Sequence, residues 1–515
     1  MKKKLSLLLA LCLLAVPLTA CQSNDADTSQ SDSDTTQSDT LVIATTSDVS
    51  SLDPSRMASG AETYASSCVY DTLTWLPLGA EEPLMRIAES YTVSEDGLSY
   101  TFTLRDDVLF HDGSALTVDD VLYSIELFRS SAALASYSYS IAGCEAPDDS
   151  TVVVTLSAPD PAFFENFNNC FILSKAAHEA AGGDFGTQPV GSGPYQVVSH
   201  NPGDRLVLSA FSDYYRGEAS IKNCEIKVIP DTFTIATALE TGEVDYSVAV
   251  SFDHIETLEQ SGKVTCVVED GTGVTFAWLN HTIAPYDDVL VRKAISYAID
   301  KQMCNDVIYD GRATVLTTPL PSVAVEGPEG VEGYSYDPEK ARELLAEAGY
   351  PNGEGLRPLT IQTYEAAADY AEVIQANLTE IGITSEIEIM ESNAFMSSAA
   401  TGSVDLAVWA AGLGSNASQW MSMFVTGGQL NYPQYSNSRV DELYAEAVVD
   451  PDSARRQELY NEIYSIAIDE DAAISPIVSM CNCHAFNTGV NIGAALDNLY
   501  LSANPYDLSF NETAS

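Results

Sequence analysis

The chain has 515 residues, 45% of them apolar, which fits a globular protein large enough for two or three domains. Only 23 Lys and Arg stand against 74 Asp and Glu, a formal net charge of −51. Such a surface repels phosphates and argues against nucleic acid as a partner; it suits a body kept soluble outside the cell.

At the N-terminus, Lys2, Lys3 and Lys4 precede an apolar run from Leu5 to Val16, followed by Leu18-Thr19-Ala20-Cys21. A basic head, a short apolar stretch and small residues before a cut make a secretory signal, too short for a spanning helix. Ending that stretch on Cys resembles the bacterial lipobox. The resemblance implies a signal peptide over residues 1–20, a diacylglycerol on Cys21, and anchoring to the outer face of a membrane, at the cell surface or in the periplasm. No later segment approaches 18 apolar residues, so the remainder is expected to be soluble. Residues 22–39 are almost all Ser, Asp, Thr, Gln and Asn. They cannot offset the entropy of ordering, and 21–40 is read as a flexible tether with a reach of roughly 25 Å.

Ordered sequence begins at Leu41-Val42-Ile43-Ala44, a short strand. Tyr100 to Leu104 alternates with period two, as does Thr151 to Leu156 after the turn residues Pro147-Asp148-Asp149. Thr117-Val118-Asp119-Asp120 opens a helix, whose apolar face continues through Val121, Ile125 and Phe128. A strand over Ile221 to Ile229, a helix over Thr234 to Leu239 stopped by Gly242, and a strand over Val244 to Val250 make a βαβ pattern, which favours parallel pairing. Val289 to Ile299 reads as a helix, and Asp337-Pro338 opens another that stops at Gly349. Strands are expected at Leu359 to Ile361, Ile387 to Met390 and Val404 to Trp409. Helices are expected at Tyr370 to Ile381, Val440 to Ala447 and Ala454 to Ile468. The fold class is α/β with mixed sheets in at least two lobes.

Enzyme motifs fail on inspection. His178-Glu179 lacks the second His of a zinc-protease helix, Gly191-Ser192-Gly193 is not a nucleophile elbow, and the Lys263 segment lacks the P-loop glycine and hydroxyl. Gly412-Leu413-Gly414-Ser415-Asn416-Ala417 matches a dinucleotide-binding turn, but no acidic residue stands about 20 positions on. No cofactor or metal is expected. Ten cysteines are present; Cys12 leaves with the signal and Cys21 takes the lipid. Eight remain for disulfides: Cys68, Cys144, Cys170, Cys224, Cys266, Cys304, Cys481 and Cys483, whose pairing the sequence leaves open. The Cys481-Asn482-Cys483-His484 run has no second Cys/His cluster to complete a metal site.

Nine motifs occur in one order: Ser51-Leu52-Asp53-Pro54, Val69 to Leu73, Tyr100 to Arg105, Phe110 to Gly113, Leu116 to Val121, Pro189 to Tyr195, Gly242 to Asp245, Val291 to Asp300 and Tyr336 to Leu345. Together they resemble the family 5 solute-binding proteins, the dipeptide, oligopeptide and nickel group, over nearly the whole mature chain. The resemblance implies a class II periplasmic-binding fold: two lobes with a hinge cleft. Lobe one would span 41–280, including an extra domain at about 65–185. Lobe two would span 281–484, and residues 485–515 would return to lobe one. It implies a monomeric, non-enzymatic receptor that carries a small solute, first of all a short peptide, to an ABC importer's permease; a nickel chelate, sugar or modified amino acid is the alternative. The exit of the strand ending at Trp409 would face the ligand. Peptide-binding members carry, three residues after that Trp, an Asp for the peptide's α-amine; here the position is Gly412. The expected ligand-binding residues are Trp278, Trp409, Gly412, Leu413, Gly414, Ser415 and Trp420. The turn's N–H groups are expected to attract an anion. Arg105 and Asp300 are expected to form structural ion pairs, and the glycines of Gly191-Ser192-Gly193 to permit positive φ.

Overall fold

The computed structural model describes residues 39–186, 188–327, 329–450, 452–493 and 503–511. The signal peptide, Cys21 and the tether up to Ser38 lie outside them. Among the described residues no helix is long and apolar enough to cross a membrane.

The first strand, β1 (Thr40–Thr45), buries Leu41 and Ile43. Helix α1 (Gly60–Val69) follows, capped by Ser59. Strands β2 (Ala88–Val93), β3 (Ser99–Leu104), β4 (Ile141–Asp148) and β5 (Thr151–Leu156) form an antiparallel sheet in the order β2-β3-β5-β4. Period-two alternation turns Tyr100, Phe102, Val152 and Val154 inward. The short helix α2 (Phe163–Phe167) stacks Phe163 and Phe167 together at 4.9 Å, and Phe167 on Phe102 at 5.9 Å.

The chain then enters a ten-stranded mixed sheet. Its members are β1, β6 (Tyr195–Asn201), β7 (Arg205–Ala210), β8 (Asn223–Val228), β9 (Tyr246–Ser247), β10 (Val264–Leu279), β11 (Leu359–Tyr364), β12 (Ser385–Met390), β13 (Leu406–Gly412) and β14 (Ser475–Asn487). Their order is β12-β11-β13-β10-β14-β9-β1-β8-β7-β6. The βαβ unit read from the sequence is present: β8 and β9 both pair with β1 in parallel. The helix between them, Thr232–Thr241, is capped by Asp231 and ends at Gly242 with φ +76°. The strand expected over Val244 to Val250 shortens to Tyr246–Ser247. The helix expected to reach Ile468 is α-helical over Ser453–Tyr464 and continues as a π turn over Ser465–Glu470.

Strands β10 and β14 are long and lie side by side in the middle of this sheet. Their Val264 to Asp270 and Cys481 to Asn487 segments pair on the side of β9, and their Val274 to Ala277 and Ser475 to Ser479 segments on the side of β13. A register break separates the segments between Asp270 and Val274. Neither strand was anticipated. Glu269-Asp270-Gly271-Thr272-Gly273 reads locally as a turn, but a bulge carries the strand through it. One core gathers Leu41, Phe102, Tyr195 and Leu206, and others gather Ile295, Leu345 and Ile361, and Phe276, Trp420 and Tyr460.

Candidate ligand-binding site

Where β10, β13 and β14 meet, two glycines face each other across the strands. Gly273 pairs with Gly412, and a Cβ on Gly273 would lie 2.6 Å from Met480 Sδ. Gly412 is exposed and roomy; a Cβ there would meet only Thr272 Oγ1, at 3.7 Å, among side chains. Beside the bulge, the Asp270 carboxylate accepts from Thr314 Oγ1 at 2.6 Å and from the Ser322 hydroxyl. This carboxylate was not singled out from the sequence, which gives no sign that three distant segments converge on it.

Of the tryptophans, Trp409 keeps 8% of its surface exposed. Its ring meets Phe276 and Tyr432 at 5.4 Å each. Trp278 is buried behind it, 5.9–6.2 Å from Phe276, Phe395, Trp409 and Tyr432. Trp420 is 0% exposed and donates its indole N–H to Gly414 O at 3.0 Å. The structure thus places Trp278 and Trp420 in the core beneath the loop, because each ring finds apolar neighbours on the lobe's own helices and strands. Leu413 packs partly on that same core.

The turn after Gly412 holds an anion already, and it is the protein's own. Glu165, on α2, which packs on the four-stranded sheet, accepts from Ser415 N–H at 2.7 Å and Asn416 N–H at 3.2 Å. Asn416 Nδ2 reaches Pro161 O at 3.1 Å, and Gln419 Nε2 reaches Asn166 Oδ1 at 3.3 Å. Gly414, at φ +103°, is required twice over: a Cβ would fall 2.1 Å from Gln419 Oε1 and 2.8 Å from Glu165 Oε1. Burial pushes the Glu165 pKa up, against the pull of the Ser415 and Asn416 bonds. Asp160 nearby is likewise raised by burial. The expectation that these N–H groups await a ligand's anion is therefore corrected. Nothing local could have revealed Glu165, which lies 250 residues from Ser415.

Other sequence candidates take structural places. Arg105 forms a bidentate pair with Asp107, whereas Asp300 caps a helix through Met303 N–H instead of forming an ion pair. Asp53 is buried against His178 Nε2 at 2.9 Å and Ser55 Oγ at 2.6 Å; burial raises its pKa, but these bonds hold it below the usual carboxylate range. Gly191 and Gly193 do not have positive φ; they are required because a Cβ would strike the Val69 and Tyr70 backbone. His484 turns to the opposite face from Cys483 and meets the Tyr246 hydroxyl at 3.0 Å.

A model of the bacterial extracellular solute-binding proteins, family 5, middle region, matches residues 82–432. The glutathione-binding protein GsiB of Pectobacterium atrosepticum is 31% identical over 443 residues, 82% of this chain and 85% of that one. Heme-binding protein A of Haemophilus influenzae is 28% identical over 501 residues, covering 90% and 91%. Among solved structures, HbpA2 from Haemophilus parasuis has a TM-score of 0.81 at 25% identity, covering 92% of this chain and 100% of that one. The DppA protein of Helicobacter pylori, in complex with the peptide STSA, has a TM-score of 0.74 at 27% identity, covering 92% and 98%. The two-lobe periplasmic-binding fold and the resemblance read from the motifs are both borne out, and the chain belongs to the family 5 bacterial extracellular solute-binding proteins.

Proposed function

We propose that the protein captures a short peptide between its lobes and hands it to the permease of an ABC importer, from a lipid anchor on Cys21. The observation that carries this reading is the meeting of the bulged crossover strands with the open Gly412 at the end of β13. Gly412 lets a ligand backbone approach closely, and Trp409, Leu413, Gly414 and Ser415 would complete that wall. Trp278 and Trp420 would support it from behind. The division into lobes at 41–280, with its extra domain at 65–185, at 281–484 and after 485 remains our reading, and the hinge would lie along the crossover strands β10 and β14. Closure about that hinge would bury the ligand, and the permease would read the closed form. No bond is made or broken, and the receptor acts as a monomer.

The carboxylate that family members offer an α-amine is absent at Gly412, and Asp53 and Glu165 are both engaged by other groups. We therefore expect recognition that does not depend on a free α-amine. Titration calorimetry with matched free and N-acetylated peptides tests this. Affinities within about threefold are expected; a preference for the free amine beyond about 100-fold, roughly 2.7 kcal/mol, would contradict it. The same absence favours the second reading, a non-peptide solute, which a lack of binding by any peptide would promote. For the anchor, Cys21→Ser is expected to abolish lipidation and release soluble or uncleaved chain; mature variant still partitioning with membranes would refute the lipoprotein assignment.

A further inference from the structure

The eight cysteines available for disulfides are free thiols, so hydrogen bonds and packing, not a covalent link, hold the C-terminal turn Asn504 to Asp507 in place. The Tyr64 hydroxyl donates to Ala503 O at 2.9 Å, Asn504 Nδ2 to Ser67 O at 3.0 Å, and the Tyr506 hydroxyl to Arg216 O at 2.8 Å. The turn and the end of α1 line a pocket of about 740 Å³, its open mouth included. Its walls carry Tyr64, Tyr70, Trp75, Phe171, Tyr214 and Tyr506. None of its lining residues lies on β10, β13 or β14, so it is separate from the wall around Gly412. A concave space of this size with aromatic walls and a few polar groups suits a small molecule.

Four charged side chains line the pocket, and two of them are committed. Asp71 accepts from the Tyr214 and Tyr215 hydroxyls at 2.8 Å each and from Thr72 N–H at 2.9 Å. Arg216 lies over the Tyr506 ring, 4.9 Å from its centroid, and donates to the Tyr214 hydroxyl at 3.4 Å. The other two, Arg86 and Asp507, are not. Among the described residues neither the Arg86 guanidinium nor the Asp507 carboxylate has a hydrogen-bond or ion-pair partner. They feel each other through space. Burial raises the Asp507 pKa against the pull of Arg86. A guanidinium offers five donors in a rigid fork, and a partly buried charge without a partner calls for one.

We propose that this pocket is a second binding site, for a free α-amino acid with an apolar side chain. The Arg86 fork takes the ligand's carboxylate, the Asp507 carboxylate takes its ammonium, and the aromatic walls take its side chain. One unpaired charge of each sign matches a zwitterion at both ends; a simple anion or cation would leave one of the two still unpaired. The site does not depend on what the cleft between the lobes binds.

Titration calorimetry of the full mature chain with L-leucine and with L-phenylalanine tests this. At least one should bind, one molecule per chain, with a dissociation constant below about 1 mM. The N-acetyl derivative of that amino acid keeps only the negative charge and its methyl ester only the positive one; each should bind at least about tenfold more weakly. Arg86→Gln and Asp507→Asn should each weaken binding by a similar factor. Where Arg86→Gln fails to fold, Arg86→Lys replaces it, keeping the charge and losing the fork. Binding by neither amino acid, a derivative that binds as well as its parent, or an affinity unchanged in an Arg86 or Asp507 variant would overturn the proposal.

Discussion

Two of the chain's Gly-x-Gly stretches, Gly191-Ser192-Gly193 before β6 and Gly412-Leu413-Gly414 after β13, are used by the structure in opposite ways. Gly191-Ser192-Gly193 is buried against the end of α1: a Cβ on Gly191 would lie 2.1 Å from Val69 O, and one on Gly193 2.6 Å from the Val69 carbonyl carbon. His111 locks the stretch by donating Nε2–H to Gly193 O at 3.0 Å while Nδ1 accepts from Gly191 N–H at 3.4 Å. Gly412-Leu413-Gly414 has one open glycine, facing the bulge, and one closed in by Gln419 and the Glu165 carboxylate. The first stretch is a packing constraint. The second is a junction between distant parts of the chain, with a vacancy where a side chain would fit. Spacing alone does not separate these uses; the distance from each absent Cβ to the nearest backbone does.

The largest effect should come from removing the support beneath the second stretch. Trp420→Ala deletes a fully buried indole and its bond to Gly414 O, and should cost about 3–5 kcal/mol in urea unfolding. A loss below about 1 kcal/mol would mean the ring is no part of the core. At the first stretch, Gly193→Ala forces a Cβ against rigid backbone and should cost about 1–3 kcal/mol, whereas Gly412→Ala should cost under about 0.5 kcal/mol. Equal costs would erase the contrast.

The third effect separates the regions by pH. Glu165→Ala strips the acceptor from the Ser415 and Asn416 N–H groups and should cost about 1–3 kcal/mol at neutral pH. Burial raises the Glu165 and Asp160 pKa values, so the folded chain binds protons there more readily than the unfolded chain, and this contribution to stability falls as pH rises through the carboxylate range. The groups that bear on them most are Tyr139, Ser140 and Asn166 at Asp160, and Ser415, Asn416 and Asp160 itself at Glu165. Burial lowers His111 from 6.5 to about 4, so the unfolded chain protonates first. The stability that its neutral form provides is therefore lost as pH falls from about 6.5 to 4. Denaturation of wild type, Glu165→Gln and His111→Gln across that range should show Glu165→Gln less penalised than wild type as pH rises, and His111→Gln less penalised as pH falls. The same slope in all three would contradict both assignments. The smallest effect on stability is expected from Gly412→Asp, within about 0.5 kcal/mol, because the side chain has room. Its effect on binding should be larger, a shift toward ligands with a free α-amine in titration calorimetry.

Much of the fold was legible in local pattern. Alternation marked Tyr100 to Leu104 and Thr151 to Leu156, and the caps at Thr117 and Asp337 sit where the chain starts its helices. What local pattern could not carry was pairing between remote segments. The turn-like residues at Asp270 to Gly273 are held in a long strand by β13 and β14, from residues more than a hundred positions away. The site was half legible. Gly412 and Trp409 lie where the motif placed them, at the end of β13, but Glu165 and Asp270 join the site only through the tertiary fold. Trp278 and Trp420 read from the sequence as ligand-binding residues, yet ring size alone does not reveal which side of a strand or loop is covered.

The central claim is that this body binds a solute between its lobes and gives it back unchanged. Native mass spectrometry of the purified mature chain, first as isolated and then with a mixture of short peptides, tests it most directly. The account predicts one ligand bound per chain, released intact on unfolding, with no new fragment masses in the mixture. A chain that retains no ligand under any of these conditions, or that returns the peptides cleaved, would contradict it.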